Sequence, residues 1–217
     1  MRRVVMLGPV MNRRLGEALV SRGVQFIHVP LFRLAPRLGD WALGDDITWS
    51  TVLIVTSKET IRWLTPWVGL LQNRQVYAVG PTTARALGRE GIDCSEAPPP
   101  YSFESVVRYL PFDLDGQRVL IPGSEWADTR LDGELLARGA LVRRCSVYCP
   151  VPTGFPLPYL RAGDVVVVSS PAQAVVLGEV AARVVAVGEK AHRARVGSEY
   201  VAVGDEGGLL GVILTPP

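Results

Sequence analysis

The chain has 217 residues, of which 48% are hydrophobic and 20% charged, with a formal net charge of +2. This is enough for one large α/β domain or two small ones with proper cores. So even a charge balance excludes nucleic-acid binding driven by bulk charge.

In chain order, "RRVVML" (residues 2–7) reads as a strand. "MNRRLGEALVSRG" follows as a helix with Leu15, Leu19 and Val20 at helical spacing and Gly23 as its stop. "VQFIHV" is a second strand, and "VPLFRLAPR" (29–37) is an extended, proline-bounded segment. The middle of the chain gives strands at "TVLIVTS", "QVYAVG", a short "IDCSEA" and "QRVLIPG". After the second extended segment, "VYCPVP" (147–152), come "DVVVVSS", "RVVAVG" and "YVAVG". Unbroken apolar runs of this length suit parallel strands covered on both faces by helices.

The order of these units repeats. "TVLIVTSKETIRWL" aligns with "DVVVVSSPAQAVVL", and "VYAVGPTTARAL" with "VVAVGEKAHRAR". Only two copies exist, so this is a duplicated α/β half rather than a solenoid. The segment before His28 holds two strands and one helix, too little to close a core alone. It must share a domain with the other chain end. The expected organisation is a discontinuous domain from 1–31 plus 151–217, an inserted domain from 38–146, and linkers at 32–37 and 147–150, across which the domains hinge.

Ligands of open parallel sheets bind beyond the carboxyl ends of the strands. Ser57, Gly80 to Thr83, Gly123-Ser124, Ser169-Ser170 and Gly188 stand there. Helix starts present free N–H groups and partial positive charge to carboxylates or phosphates. Simple capping by Ser and Thr is the better explanation of any one position in isolation; function requires that several such ends face one cleft. Cys94, Cys145, Cys149, His28 and His192 lie at no metal-binding or disulfide spacing. Phosphate-loop, GxGxxG, GxSxG and HExxH motifs are absent from the sequence. Without a signal segment or a long apolar span, the expected location is cytoplasmic, away from membranes.

The strand ending in Thr-Ser, "AVGPTTARAL" with "REGI", "PPPYSFESVVRYL", "GQRVLIPG" and "LLARGALVRRCSVYCPV" stand in the order found in uroporphyrinogen-III synthases. The chain resembles that family along almost its whole length. The resemblance implies two similar parallel-sheet α/β domains joined by a two-stranded linker. It implies a cofactor-free lyase of tetrapyrrole and heme biosynthesis. Hydroxymethylbilane, a linear tetrapyrrole with eight carboxylates, would lose hydroxide and close to uroporphyrinogen III. The last pyrrole ring is inverted in that step, through a spiro intermediate. The enzyme that makes hydroxymethylbilane is the expected partner, nucleic acid is not one, and the chain is expected to be a monomer.

The same resemblance places Tyr148 as the linker tyrosine, either a donor to the departing hydroxyl or a packing residue of the linker. It matches Ser57, Thr83, Ser102 and Ser170 to residues the family places at its cleft; together with the strand-end residues Gly80, Thr82 and Ser124 and the cations Lys58 and Lys190 they are the expected substrate contacts, with no metal. Two positions depart from the family: Lys190-Ala191 stands where many members carry a threonine, and "MLGP" stands where many carry Thr-Arg before the proline. Two readings compete with synthase activity. One is a non-catalytic or degenerate protein of the same fold that closes on an anionic small molecule. The other is a nucleotide-binding α/β protein, disfavoured by the missing phosphate loop.

Overall fold

The computed structural model describes residues 3–9, 11–37, 43–202 and 205–215. Arg2 of the first expected strand, Val203-Gly204 of the last, and residue 38 at the start of the expected inserted domain lie outside these. The chain opens with β1 (Arg3–Met6), α1 (Arg13–Val20), β2 (Gln25–His28) and β3 (Phe32–Pro36). Next come α2 (Leu43–Trp49), β4 (Val52–Val55), a 3₁₀ turn at Lys58–Thr60, α3 (Ile61–Leu64), α4 (Val68–Leu71), β5 (Gln75–Ala78) and α5 (Pro81–Arg89). β6 (Ser95–Glu96), α6 (Phe103–Tyr109), β7 (Arg118–Ser124), α7 (Arg130–Ala137) and β8 (Leu141–Pro152) follow. The last elements are β9 (Val165–Val168), α8 (Pro171–Leu177), β10 (Arg183–Val187), α9 (Glu189–Arg193), β11 (Glu199–Val201) and α10 (Glu206–Leu214).

Two compact units result: residues 1–33 with 151–217, and residues 34–150. In the first, the strand order is β11-β10-β9-β1-β2, with every pair parallel. In the second it is β3-β8-β7-β4-β5-β6, parallel from β8 through β6. β3 is the exception. Arg37 N–H donates to Val147 O and Thr153 N–H to Leu31 O, a constant sum of positions that makes β3 and β8 antiparallel.

The two sheets align as 2-1-9-10-11 against 8-7-4-5-6, so β9, β10 and β11 match β4, β5 and β6, and β1 and β2 match β7 and β8. One winding thus occurs twice. In the discontinuous unit the chain enters it at a different strand. Each sheet reverses its winding direction once, between β1 and β9 in one unit and between β4 and β7 in the other.

Apolar residues cover both faces of each sheet. In the discontinuous unit, Val5, Val166, Val168 and Ala186 pack on one face, and Val4, Val165, Val167 and Val185 on the other. In the second unit the corresponding layers centre on Leu53, Val55 and Leu120, and on Val52, Ile54 and Ile121. This alternation within unbroken valine runs is why the strands show no polar period in sequence.

α1 starts at Asn12, whose side chain accepts from Leu15 N–H at 3.1 Å, and it turns out through Gly23 at φ +73°. Leu15 and Leu19 face the core, whereas Val20, which the spacing assigned to the same face, is exposed. No helix among the described residues is long and apolar enough to cross a membrane.

Candidate functional site

The carboxyl ends of the second unit's central strands lie at its winding reversal, where open α/β sheets take ligands. β4 runs out into Thr56 and Ser57, and β7 ends at Ser124. β8 carries Tyr148 to the same level through a local irregularity. Gly123 is paired with Ser146, but Ser124 is paired with Tyr148, so β8 holds one extra residue. A bulge of this kind changes which face the following side chains take. Here it adds Tyr148 to the face that already holds Cys145 and Val147. Its backbone carbonyl accepts from Glu125 N–H at 2.9 Å.

Tyr148 is 6% exposed. Its ring stacks on Trp63, with centroids 6.5 Å apart and planes 21° from parallel. Burial pushes the phenol above its ordinary value. The Ser57 hydroxyl pulls it down, Glu59 pushes it up, and Thr60 and Arg62 pull it down, for a net rise. A phenol held protonated is a hydrogen-bond donor rather than a base at neutral pH.

Trp63 in turn carries the Arg62 guanidinium 4.3 Å from its ring centre, and Arg62 Nη2 donates to Leu34 O at 2.9 Å. The sequence reading passed over Thr60 and Trp63. Ser57, Thr60 and Trp63 are spaced by three, and the segment after Ser57 begins as a 3₁₀ turn, in which i and i+3 eclipse. That spacing was the available signal.

The other expected contacts fall at helix starts. Ser57 caps the 3₁₀ turn by accepting from Glu59 N–H at 3.2 Å. Lys58, in the same turn, is exposed. Gly80 precedes α5, whose N1 is Pro81. A Cβ on Gly80 would stand 3.2 Å from Tyr101 Cβ, so the glycine permits a close approach. Thr82 is half-buried and Thr83 buried in the first turn of α5. Ser102 caps α6, accepting from Ser105 N–H at 3.3 Å, with Ser105 returning the bond to the Ser102 backbone. Ser124 accepts from Trp126 N–H at 3.2 Å. Ser57, Ser124 and Tyr148 therefore meet at the reversal, while Ser102, at the start of α6, follows Tyr101, which sits against Gly80 at the end of β5.

Ser170 and Lys190 belong to the discontinuous unit. Ser170 follows β9 and caps α8, accepting from Gln173 N–H at 3.3 Å. Lys190 is exposed in the first turn of α9, after Gly188 at φ +90°.

The family model for uroporphyrinogen-III synthase HemD matches residues 13–195. The chain belongs to the uroporphyrinogen-III synthase family. Among solved structures, it is similar to a uroporphyrinogen-III synthetase from Helicobacter pylori, with 17% identity, TM-score 0.68, and 99% and 100% of the two chains covered. It is also similar to a mutant uroporphyrinogen III synthase from the extreme thermophile Thermus thermophilus, with 17% identity, TM-score 0.67, and 99% and 96% covered. At that identity the likeness carries the fold, two parallel-sheet α/β domains of the uroporphyrinogen-III synthase type. No curated protein matches the chain.

The fold gives the missing threonine of this member a physical reading. Ala191 is 1% exposed and packs in the apolar layer with Ala186, where Thr83 stands buried in the first copy. Lys190 matches the half-buried Thr82 and points outward. The buried hydroxyl has become a methyl, and a cation has been added at the surface.

Proposed function

We propose that this chain is a uroporphyrinogen-III synthase, a lyase that closes hydroxymethylbilane to uroporphyrinogen III with inversion of the terminal ring. The observation that carries the reading is the meeting of Ser57, Ser124 and the bulge-aimed Tyr148 at the winding reversal of the second unit. The substrate's own pyrrole nitrogen pushes out the hydroxyl. The phenol of Tyr148 donates to the leaving oxygen, a modest assistance suited to an already easy departure. Orientation does the rest, because the unguided ring closure gives the non-inverted isomer.

Eight carboxylates need distributed donors. Donors of that kind are the backbone N–H groups after Ser57 and Gly80, with Lys58, Thr82, Thr83 and Ser102, in the second unit, and that after Ser170, with Lys190, in the discontinuous one. Each capping serine is already committed to a backbone N–H, so the backbone donors matter more than the hydroxyls. The test is a coupled assay with hydroxymethylbilane made in situ. Isomer III in excess of the spontaneous isomer I supports the reading, and unchanged isomer I refutes it.

The burial of Tyr148 within an apolar layer favours a second reading, a non-catalytic protein of the same fold that holds an anionic small molecule. Binding of the tetrapyrrole product without turnover would select it.

A further inference from the structure

Gln173 stands at the third position of α8, the helix that Ser170 caps, and is only 2% exposed. Its Oε1 accepts from the Ser169 N–H at 2.7 Å and from the Ser169 hydroxyl at 3.3 Å. The Ser170 hydroxyl accepts from the Gln173 N–H at 3.3 Å in return. A backbone N–H has no use for an amide nitrogen, so the Ser169 bond fixes which end of the carboxamide is oxygen. Nε2 is the other end, and its two N–H groups have no hydrogen-bond partner among the described residues. The side-chain atoms there that are both sealed from solvent and unpartnered are Thr60 Oγ1, Trp63 Nε1 and Asp132 Oδ1. Gln173 Nε2 is not one of them, so its donors look out through a narrow opening in an otherwise buried side chain.

Capping alone does not ask for glutamine at this position. Glutamate would accept from the same Ser169 N–H, would suit the positive end of the helix, and would bring no donor in need of a partner. What glutamine adds to glutamate is the NH2 group. Ser169 carries the chain past the last residue of β9, and between β9 and its neighbour β1 the sheet reverses its winding. The donors therefore open at the carboxyl end of the sheet, where open α/β sheets take ligands. The first turn of α8 holds no acidic residue that would compete for them. A donor already held in place by its partner oxygen loses little freedom on binding, and a carboxylate oxygen is the strong acceptor that suits it.

We propose that Gln173 is a substrate-binding residue whose amide N–H groups hold a carboxylate of the ligand at the carboxyl end of β9. This rests on the reading of the ligand as the carboxylate-rich tetrapyrrole.

The test compares Gln173→Glu and Gln173→Met with wild type in the full chain. Binding is read with uroporphyrin III, the oxidised product, by its own fluorescence, and KM and kcat come from the coupled assay. Gln173→Glu keeps the bonds to Ser169 and should melt close to wild type. It should nevertheless weaken uroporphyrin binding and raise KM by at least about tenfold, the scale of a hydrogen bond to a charged group, with kcat unchanged. Gln173→Met fills the same volume with neither end of the amide. It should lower Tm, and it should raise KM less than Gln173→Glu, because it removes a donor without adding a like charge. Wild-type affinity and KM in a folded Gln173→Glu overturn the proposal and leave the side chain a cap alone. A loss of kcat with KM unmoved overturns it too. If wild type makes no isomer III, the synthase reading fails by itself. The Gln173 contact then stands if uroporphyrin binds wild type and Gln173→Glu weakens it, and falls if the two bind alike or wild type does not bind. Should Gln173→Glu not fold, Gln173→Met decides by the same binding measurement, and wild-type affinity overturns the proposal.

Discussion

The phenol of Tyr148 sits at the balance of two opposed effects. Burial holds the proton on, and the neighbouring hydroxyls and Arg62 favour its release. Burial wins, so the group is a donor across the neutral range. Tyr148→Phe keeps the ring stack on Trp63 and should fold normally, with kcat lowered by at most about a hundredfold, the low end for acid assistance. Wild-type turnover in a stopped assay would make Tyr148 a packing residue alone. Ser57→Ala removes a cap, which should cost about 1 kcal/mol in denaturant unfolding. Its KM should rise only a few-fold, because the backbone donors stay in place. Complete loss of product binding would show instead that the hydroxyl dominates. Lys190→Ala should raise KM and leave kcat unchanged, and Lys190→Thr should be active. If both match wild type, the lysine is an ordinary solvated residue.

Among the elements, the strands were legible because valine runs have few other fates, and the β-α repeat gave their order. The bulge that aims Tyr148 was not legible, since it arises from a register shift against β7 that no local pattern announces. The detail of the segment after β4 was not legible: it runs as a 3₁₀ turn at Lys58–Thr60, α3, a second 3₁₀ turn at Thr65–Trp67 that holds Pro66, and α4. α2 escaped the reading, its run of Leu43 to Trp49 having only three buried positions.

The two strand-to-helix glycines behave differently and should respond differently. Gly188 sits at φ +90°, where a side chain is strained, whereas Gly80 at φ −166° is merely extended. Gly188→Ala should cost about 1–2 kcal/mol in thermal unfolding. Gly80→Ala should cost less and act by displacing Tyr101. Equal losses at the two positions would contradict this account.

At the scale of the molecule, the first unit is assembled from both chain ends, and the Arg3–Asp164 pair ties β1 to the entry of β9 across 161 positions. Arg3 Nε donates to Asp164 Oδ1 at 3.1 Å, and Arg161 N–H donates to Oδ2 at 2.8 Å. The bonded Arg3 guanidinium holds the Asp164 carboxyl below its ordinary value. The folded chain therefore binds fewer protons there than the unfolded one. The stabilisation is complete above the unfolded value, near ~3.9, and is lost as pH falls through the folded value. Asp164→Asn should lower the unfolding midpoint at neutral pH and flatten its fall in acid. A variant with the wild-type acid slope would place the titration elsewhere.

The central claim is that Tyr148 assists departure while the surrounding walls choose the ring that inverts. It is tested most directly by the isomer composition of product formed from hydroxymethylbilane by Tyr148→Phe beside wild type. The account predicts slower formation with isomer III still the enzymatic product. Isomer I from the variant at the wild-type rate of substrate loss would contradict it.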